Sequence, residues 1–378
     1  MVGAGQLGTM LAREANRLGF QVHLLDQDPQ APAFKLADSY VVGGWADPAA
    51  LRELAARVDV LTVERDDVGA ATLRELTDAG HRVSPDPDGL AAIQDKLVQR
   101  ERLAAAGLPG PRFQGCGTGG DPAELAAAAR RFGLPLVQKL RRGGYDGRGV
   151  ALLEDEAALG RLLPGPSLFE EQVALRRELA VMVALGAGSQ EAVYPVCELV
   201  VDPLTRQLDT LIAPAELAPE AAARAQSLAL AAARAFGGQG MFGVELFEDT
   251  AGRLLVNEVS PRPHNTGHYT IEACVTCQFE QHLRAICGLP LGSPELLRPA
   301  ATANLVGAGT RSGRPRVHGL ADALAIPCAA VHLYGKAEVR PNRKMGHVTA
   351  LGSTRAEALE RAQRAQQRIR IVAAEEDG

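Results

Sequence analysis

The sequence predicts an α/β and α+β chain of two or three domains, led by a doubly wound parallel sheet. Three observations carry that expectation. Strand-like and helix-like segments alternate over residues 1–90, as parallel βα units do. The middle of the chain turns to strands around glycine-rich loops and then to a long hairpin. At 378 residues the chain has room for two or three domains of roughly 150 residues each.

In the first region, residues 21–26 (Gln-Val-His-Leu-Leu-Asp) and 58–63 read as buried strands, with helices over 7–18 and 48–57. Pro85-Asp86-Pro87 then interrupts the pattern. One helix is predicted over 88–106, stopped by Gly107 and Pro109. Residues 115–120 form a glycine-rich loop, and short strands at 134–140, 150–153 and 167–172 surround a second such loop at 143–149. Residues 178–201 are strand-rich, 219–236 form an alanine-rich helix, and 244–259 read as a hairpin. A helix is expected over 271–286, with Val275, Phe279, Leu283 and Ile286 on one stripe. Loops with short strands follow Pro290. A last helix begins near Thr354, where Thr354-x-x-Glu357 matches a capping box, and the acidic tail Glu375-Glu376-Asp377 is expected to fray.

Composition narrows the function classes. Hydrophobic residues make up 46%, enough for real cores. A formal charge of −5, from 40 basic and 45 acidic residues, argues against a non-specific nucleic-acid binder. No apolar run reaches the ~18 residues of a membrane span, and no signal core opens the chain, so a cytoplasmic location is expected. Six scattered cysteines do not make a disulfide framework. Cys274 and Cys277 form a lone C-x-x-C without a second pair, which favours core thiols over a metal or redox site.

Five constellations carry possible chemistry. Gly3-Ala4-Gly5-Gln6-Leu7-Gly8 is a G-x-G-x-x-G opening a helix, with Asp26 some twenty residues on. It could hold NAD, another phosphate-bearing ligand, or nothing beyond a tight turn. Lys139-Leu140-Arg141-Arg142-Gly143-Gly144-Tyr145-Asp146-Gly147-Arg148-Gly149 packs four glycines among cations, which suits phosphate oxygens; a plain hairpin loop is the alternative. Glu245 and Glu258 lie on the two arms of the hairpin. With a two-residue turn at Ala251-Gly252, each is six residues from the turn, and their Cβ atoms face one another at roughly 4.5–5.5 Å. Bare carboxylates there repel by about 4 kcal/mol at an effective dielectric near 20. A shared divalent cation, with Asn257 adding an oxygen, removes the repulsion; a solvated acidic face or a slipped register is the bland alternative. Ser260–Tyr269 is a stiff loop carrying Arg262, His264, Asn265 and His268 beside those carboxylates. Arg340-Pro341-Asn342-Arg343-Lys344-Met345-Gly346-His347 is a basic loop suited to a ligand phosphate, or a solvated cationic turn.

With these residues in view, the chain resembles the N5-carboxyaminoimidazole ribonucleotide synthetases, ATP-grasp enzymes of purine biosynthesis. The likeness runs from G-x-G-Q-L-G to 340–347 and is strongest at 141–149 and 257–292, including Pro-Arg-Pro-His-Asn-Thr-Gly-His-Tyr-Thr-Ile-Glu-Ala-Cys. It implies an ATP-grasp fold: an N-terminal α/β domain over 1–90, an ATP-grasp domain over 91–297 with a glycine-rich lid at about 108–172, and a small C-terminal domain over 298–378. It further implies that Lys96 and Lys139 meet nucleotide phosphates, Glu171 and Gln172 the adenine edge, and Glu178 the ribose, with Asn257 and the loop glycines Gly144, Gly147 and Gly149 also at ATP. Glu245 and Glu258 would hold Mg²⁺. Tyr145, Asp146 and Arg148 would close over bicarbonate and aminoimidazole ribonucleotide. Arg262, His264, Asn265, Arg340 and Lys344 would bind bicarbonate or the ribonucleotide, joined by Gln6 and Glu64 from the first domain. A homodimer with small-molecule substrates only, and no nucleic acid or membrane, is implied as well. Residues 63–68 (Val-Glu-Arg-Asp-Asp-Val) depart from the Glu-Phe-Glu-Asn-type run usual in the family, and Val150 and Cys277 stand where Gln and Ser are common. The competing readings are another carboxylate-activating ATP-grasp ligase, such as a formate-dependent glycinamide ribonucleotide transformylase or a biotin carboxylase-like enzyme, an NAD-dependent dehydrogenase, and a non-catalytic nucleotide binder.

Overall fold

Parallel pairing in the first region bears out the doubly wound reading. In the computed structural model, which describes residues 1–116, 121–144, 149–202 and 207–374, strand His23–Asp26 pairs in parallel with Ser39–Val42, and Leu61–Thr62 with Val83–Ser84. Val2 joins the two pairs, bridging Leu25 on one side and Val63 on the other. The few residues before the glycine motif therefore occupy the central strand position. Leucines cover both faces: Leu7 and Leu11 of helix Gln6–Arg17 on one, Leu51, Leu54 and Leu73 on the other.

Two antiparallel sheets follow. A four-stranded sheet runs in the order Phe113–Cys116, Ser167–Glu171, Leu136–Leu140, Val150–Leu153, packed under helix Pro122–Phe132 through Leu125, Phe132 and Phe169. The larger sheet begins at Leu254–Ser260 and Gly240–Asp249, passes through Leu175–Leu185, Cys197–Val201 and Leu208–Ala213, and continues into Ala300–Val306, Lys344–Leu351 and Ala329–Leu333. Helix Pro219–Arg234 lies on it through Ala225, Ala229, Ala232 and Ala233. These small side chains let the helix backbone approach Leu179, Val181 and Val244 closely. The mixture of parallel and antiparallel sheets fits the expected α/β and α+β class.

Several local expectations are corrected. The single helix over 88–106 is two, Pro87–Ile93 and Lys96–Ala105, because the Asp95 carboxylate accepts from the amides of Leu97 and Val98 and caps a new start. The helix over 271–286 is also two, Thr270–Ala273 and Gln278–Ile286. Between them the Val275 and Thr276 amides pair with the carbonyls of Glu295 and Ser293, and Val275 is 52% exposed rather than part of a buried stripe. The region after Pro290 is more regular than expected, since the edge of the large sheet orders it. Thr354 does cap the last helix, Arg355–Arg368, but the Glu357 carboxylate returns to Ser353 rather than to Thr354 itself. The tail at 375–377 lies outside the described residues.

Candidate active site

The hairpin places Glu245 opposite Glu258, but not through the turn anticipated. A three-residue loop, Thr250-Ala251-Gly252, closes the strands, with the Asp249 amide donating to Arg253 O at 3.0 Å and Gly252 at φ +77°. That loop alone pairs Leu246 with Val256 and would set Glu245 opposite Asn257, one residue short of Glu258. A bulge at Asn257 restores the match, so that Glu245 faces Glu258 and Val244 faces Val259. Val256 and Val259 both enter the core under the helix, three residues apart where a regular strand alternates every two. The extra residue turns Asn257 and Glu258 together toward the crevice.

That crevice is a set of charge pairs. The Lys96 ammonium, at the first turn of its helix, donates to Glu258 Oε1 at 2.8 Å. Lys139 lies 2.7 Å from Glu170 Oε2 and donates to Asn257 Oδ1 at 3.0 Å. Arg100, with Glu170 the most buried ion pair of the group, donates to that carboxylate at 2.8 Å and to the backbone carbonyl of Asn257 at 2.7 Å. The bulge is thus held from behind by Arg100. Burial would push Glu258 up, but Lys96 and Lys139 bring it down to about 2. For Glu245, burial, then Glu258 and Glu178, outweigh the pull of Lys344 and Lys96 and push it up to about 7. Near neutral pH the pair therefore shares its site as one carboxylate and one partly protonated acid. A group of oxygen donors on which one carboxyl is driven to hold a proton fits a hard divalent cation. Among the described residues no third acidic, His or Cys side chain completes a cluster, so phosphate oxygens and water would fill the remaining positions.

The stiff loop lies on the same side. His264 crosses strand Gly240–Asp249 at Gly243, where a Cβ would come within 2.7 Å of the His264 Cβ. Its backbone is clamped by buried Gln278, which accepts from the His264 amide and donates to its carbonyl, both at 2.8 Å. Burial, then Arg262 and Lys344, lower His264 to about 4, so it acts at neutral pH as a neutral imidazole. Arg262 pairs through Nε and Nη2 with Asp66 of the first domain. Asn265 opens the turn Asn265–Gly267, and its buried carboxamide oxygen has no partner among the described residues. Lys344 begins strand Lys344–Leu351 close enough to influence Glu245 and His264. Arg340 is exposed and paired with Glu338 at 2.6 Å.

The glycine motif is occupied from within. Glu64 accepts from the Gly5 and Gly8 amides at 3.1 and 3.2 Å, and Asp26 from the Ala4 amide at 2.7 Å. A Cβ on Gly3 would meet Glu64 Cγ at 2.3 Å. The helix N-terminus thus binds an anion of the chain itself, which favours the tight-turn reading among the three the motif left open, and Asp26 accepts from the loop amide. Gln6 accepts from Lys336 Nζ at 2.9 Å, and Lys336 also donates to the Lys344 carbonyl at 2.6 Å. Glu171 accepts from the Arg112 amide at 3.0 Å beside exposed Gln172. Glu178 lies in strand Leu175–Leu185, near enough to act on Glu245. Cys274 and Cys277 are buried thiols, both pushed up to about 12 by burial. Gly144 and Gly149 flank Tyr145, Asp146, Gly147 and Arg148, which lie outside the described residues. Sequence reasoning missed Asp66, Arg100, Glu170, Gln278 and Lys336.

Family models match along nearly the whole chain: the ribonucleotide synthetase preATP-grasp domain at 1–94, the ATP-grasp domain at 101–279, and the phosphoribosylaminoimidazole carboxylase C-terminal domain at 300–361. The chain is 45% identical over 374 residues to N5-carboxyaminoimidazole ribonucleotide synthase of Mycobacterium tuberculosis, covering 96% of this chain and 85% of the relative. It superposes on the N5-carboxyaminoimidazole ribonucleotide synthetase of Thermotoga maritima with a TM-score of 0.90 at 42% identity, over 98% of both chains. It also superposes on N5-carboxyaminoimidazole synthase of Aspergillus clavatus in complex with ADP and 5-aminoimidazole ribonucleotide, with a TM-score of 0.87 at 34% identity over 97% and 96% of the chains. The chain belongs to the N5-carboxyaminoimidazole ribonucleotide synthetase family of ATP-grasp ligases.

Proposed function

We propose that this protein uses ATP and bicarbonate to carboxylate the exocyclic amine of 5-aminoimidazole ribonucleotide, giving N5-carboxyaminoimidazole ribonucleotide, ADP and phosphate through carboxyphosphate. The observation that carries the proposal is the opposition of Glu245 and Glu258 beside Lys96 and Lys139. Phosphoryl transfer to bicarbonate needs little proton chemistry; it needs charge neutralised and oxygens aligned. Lys96 and Lys139, steered by Glu258, Glu170 and Asn257, supply cations at the nucleotide phosphates. Glu245 and Glu258 would hold Mg²⁺, which when bound neutralises phosphate charge. Glu171 and Gln172 serve the adenine edge and Glu178 the ribose.

Around the acceptor, Arg262 and neutral His264 donate directed hydrogen bonds to bicarbonate or to the carboxyl group it becomes. The cations of 340–344 receive the ribose phosphate, and Gln6 contacts the ribonucleotide. Tyr145, Asp146 and Arg148 cover the labile intermediate and exclude water. Residues 1–90, 91–297 and 298–378 act as the three working parts, in a cytoplasmic homodimer whose partners are small molecules.

Glu258→Gln tests the reading, because it keeps the shape and removes the charge. ADP release with ATP, Mg²⁺, bicarbonate and aminoimidazole ribonucleotide should fall about 10²–10³-fold with the fold intact by circular dichroism. Near-normal turnover in that variant would refute the metal assignment, and turnover of the unmutated protein with formate instead of bicarbonate would refute the substrate.

A further inference from the structure

The Arg65-Asp66-Asp67 turn of the first domain reaches across to the loop that follows the acidic hairpin. Asp66 Oδ1 accepts from Arg262 Nε at 2.8 Å, and its Oδ2 pairs with Nη2. Both side chains are largely withdrawn from solvent, Arg262 at 15% exposure and Asp66 at 33%. The turn is pinned on two further sides. Arg65 lies 3.6 Å over the Trp45 ring and holds Asp67 with two hydrogen bonds of 2.8 and 2.7 Å. Gln94 donates to the carbonyls of Asp66 and Val68 at 2.6 and 2.7 Å. Gln94 immediately precedes Asp95, the cap of the helix whose first residue is Lys96. One short turn therefore ties together the segments that carry Arg262 and Lys96.

We propose that Asp66 is a positioning residue, acting through Arg262 on the carboxyl-bearing substrate. The inference rests on the ligase reading given above. A guanidinium clamped along its Nε–Nη2 edge keeps one orientation, and its Nη1 edge is then presented in a fixed direction. Nη1 already donates to the Pro263 carbonyl at 3.2 Å, which leaves its second proton for a ligand. Arg262 lies between Asp66, Glu64 and Glu258, all of which act on its charge. An unclamped arginine in that company would swing toward whichever carboxylate is nearest and leave the substrate. The pair carries little net charge, so it selects its ligand by hydrogen-bond direction rather than by general attraction of anions. Beneath the turn, Arg65 is at once ion-paired with Asp67 and stacked on Trp45.

Asp66→Asn and Asp66→Glu, made in the full chain and alone or with Arg262→Met, test the proposal by steady-state kinetics that count ADP and carboxylated product separately. Asp66→Asn should lower kcat for product roughly 10- to 100-fold while KM for ATP stays within about twofold. Asp66→Glu, which keeps the charge, should recover most of that loss. In the Arg262→Met background Asp66→Asn should change kcat by less than about twofold, because its effect runs through the missing guanidinium. Wild-type kinetics in Asp66→Asn, an equal rise in the KM of every substrate, or additive losses in the double variant would each overturn the assignment. Bicarbonate-independent ADP release by the unmutated protein would overturn the ligase reading and this inference with it; an unaffected Asp66→Asn beside normal wild-type turnover overturns this inference alone.

Discussion

Replacing Glu245 by Gln should stabilise the metal-free protein, and only on the alkaline side. In the folded chain burial, then Glu258 and Glu178, push Glu245 up to about 7 from the ordinary 4.5. A carboxyl raised on folding stabilises fully below its unfolded pKa, and that contribution is lost as the pH climbs through about 7. At about 1.4 kcal/mol per pH unit the whole window is worth about 3 kcal/mol, and partial solvent access to the crevice lowers it to about 2 kcal/mol. Glu258 titrates at about 2, far below this window, and does not disturb it. Gln is isosteric with the protonated acid, so wild type and Glu245→Gln should melt within about 1 °C of one another at pH 5 in chelator. At pH 8 the variant should melt about 2–3 °C higher. Mg²⁺ with ADP should reverse the order, raising the wild-type Tm more at pH 8 than at pH 5. Thermal scans across pH 5–8 with and without Mg²⁺ make the check; a difference between the two proteins that does not vary with pH would refute the reasoning.

Two other substitutions address the remaining parts of the site. Lys344→Ala should raise the KM for the ribonucleotide at least about tenfold more than that for ATP, since only the former meets the basic loop; equal increases in steady-state assays would count against this division. Gly243→Ala places a methyl 2.7 Å from the His264 Cβ. Against a rigid strand and a clamped loop this should cost about 1–3 kcal/mol in denaturant unfolding and lower kcat, whereas unchanged activity would show that His264 is free to move.

Much of this site was legible in the sequence because its signals are local. The two glutamates lie on arms of one hairpin, and the cations of 340–344 are contiguous. Two corrections were also within reach of local reading. Val256 and Val259, apolar and three apart in a strand, announce the bulge that the two-residue turn concealed. Asp95 ahead of Lys96 is a cap signal inside what otherwise reads as one helix. Other features had no local trace. The Arg262–Asp66 pair spans 196 residues and Arg100–Glu170 spans 70. Glu64 fills the glycine motif from 56 residues away, so a pattern that signals a ligand anion was satisfied internally. Val275 failed as a core residue because strand-like pairing with 293–295 outweighed the helical stripe. Periodicity reports which face is apolar; it does not report which distant charge will neutralise a buried one.

The cation between the two facing glutamates is the claim on which the rest of the account turns, and anomalous diffraction tests it most directly. Crystals grown with ADP and Mn²⁺ in place of Mg²⁺ should give an anomalous peak about 2.1–2.3 Å from oxygens of both Glu245 and Glu258. A peak bound by neither carboxylate, or an ADP complex with no ion between them, would contradict it.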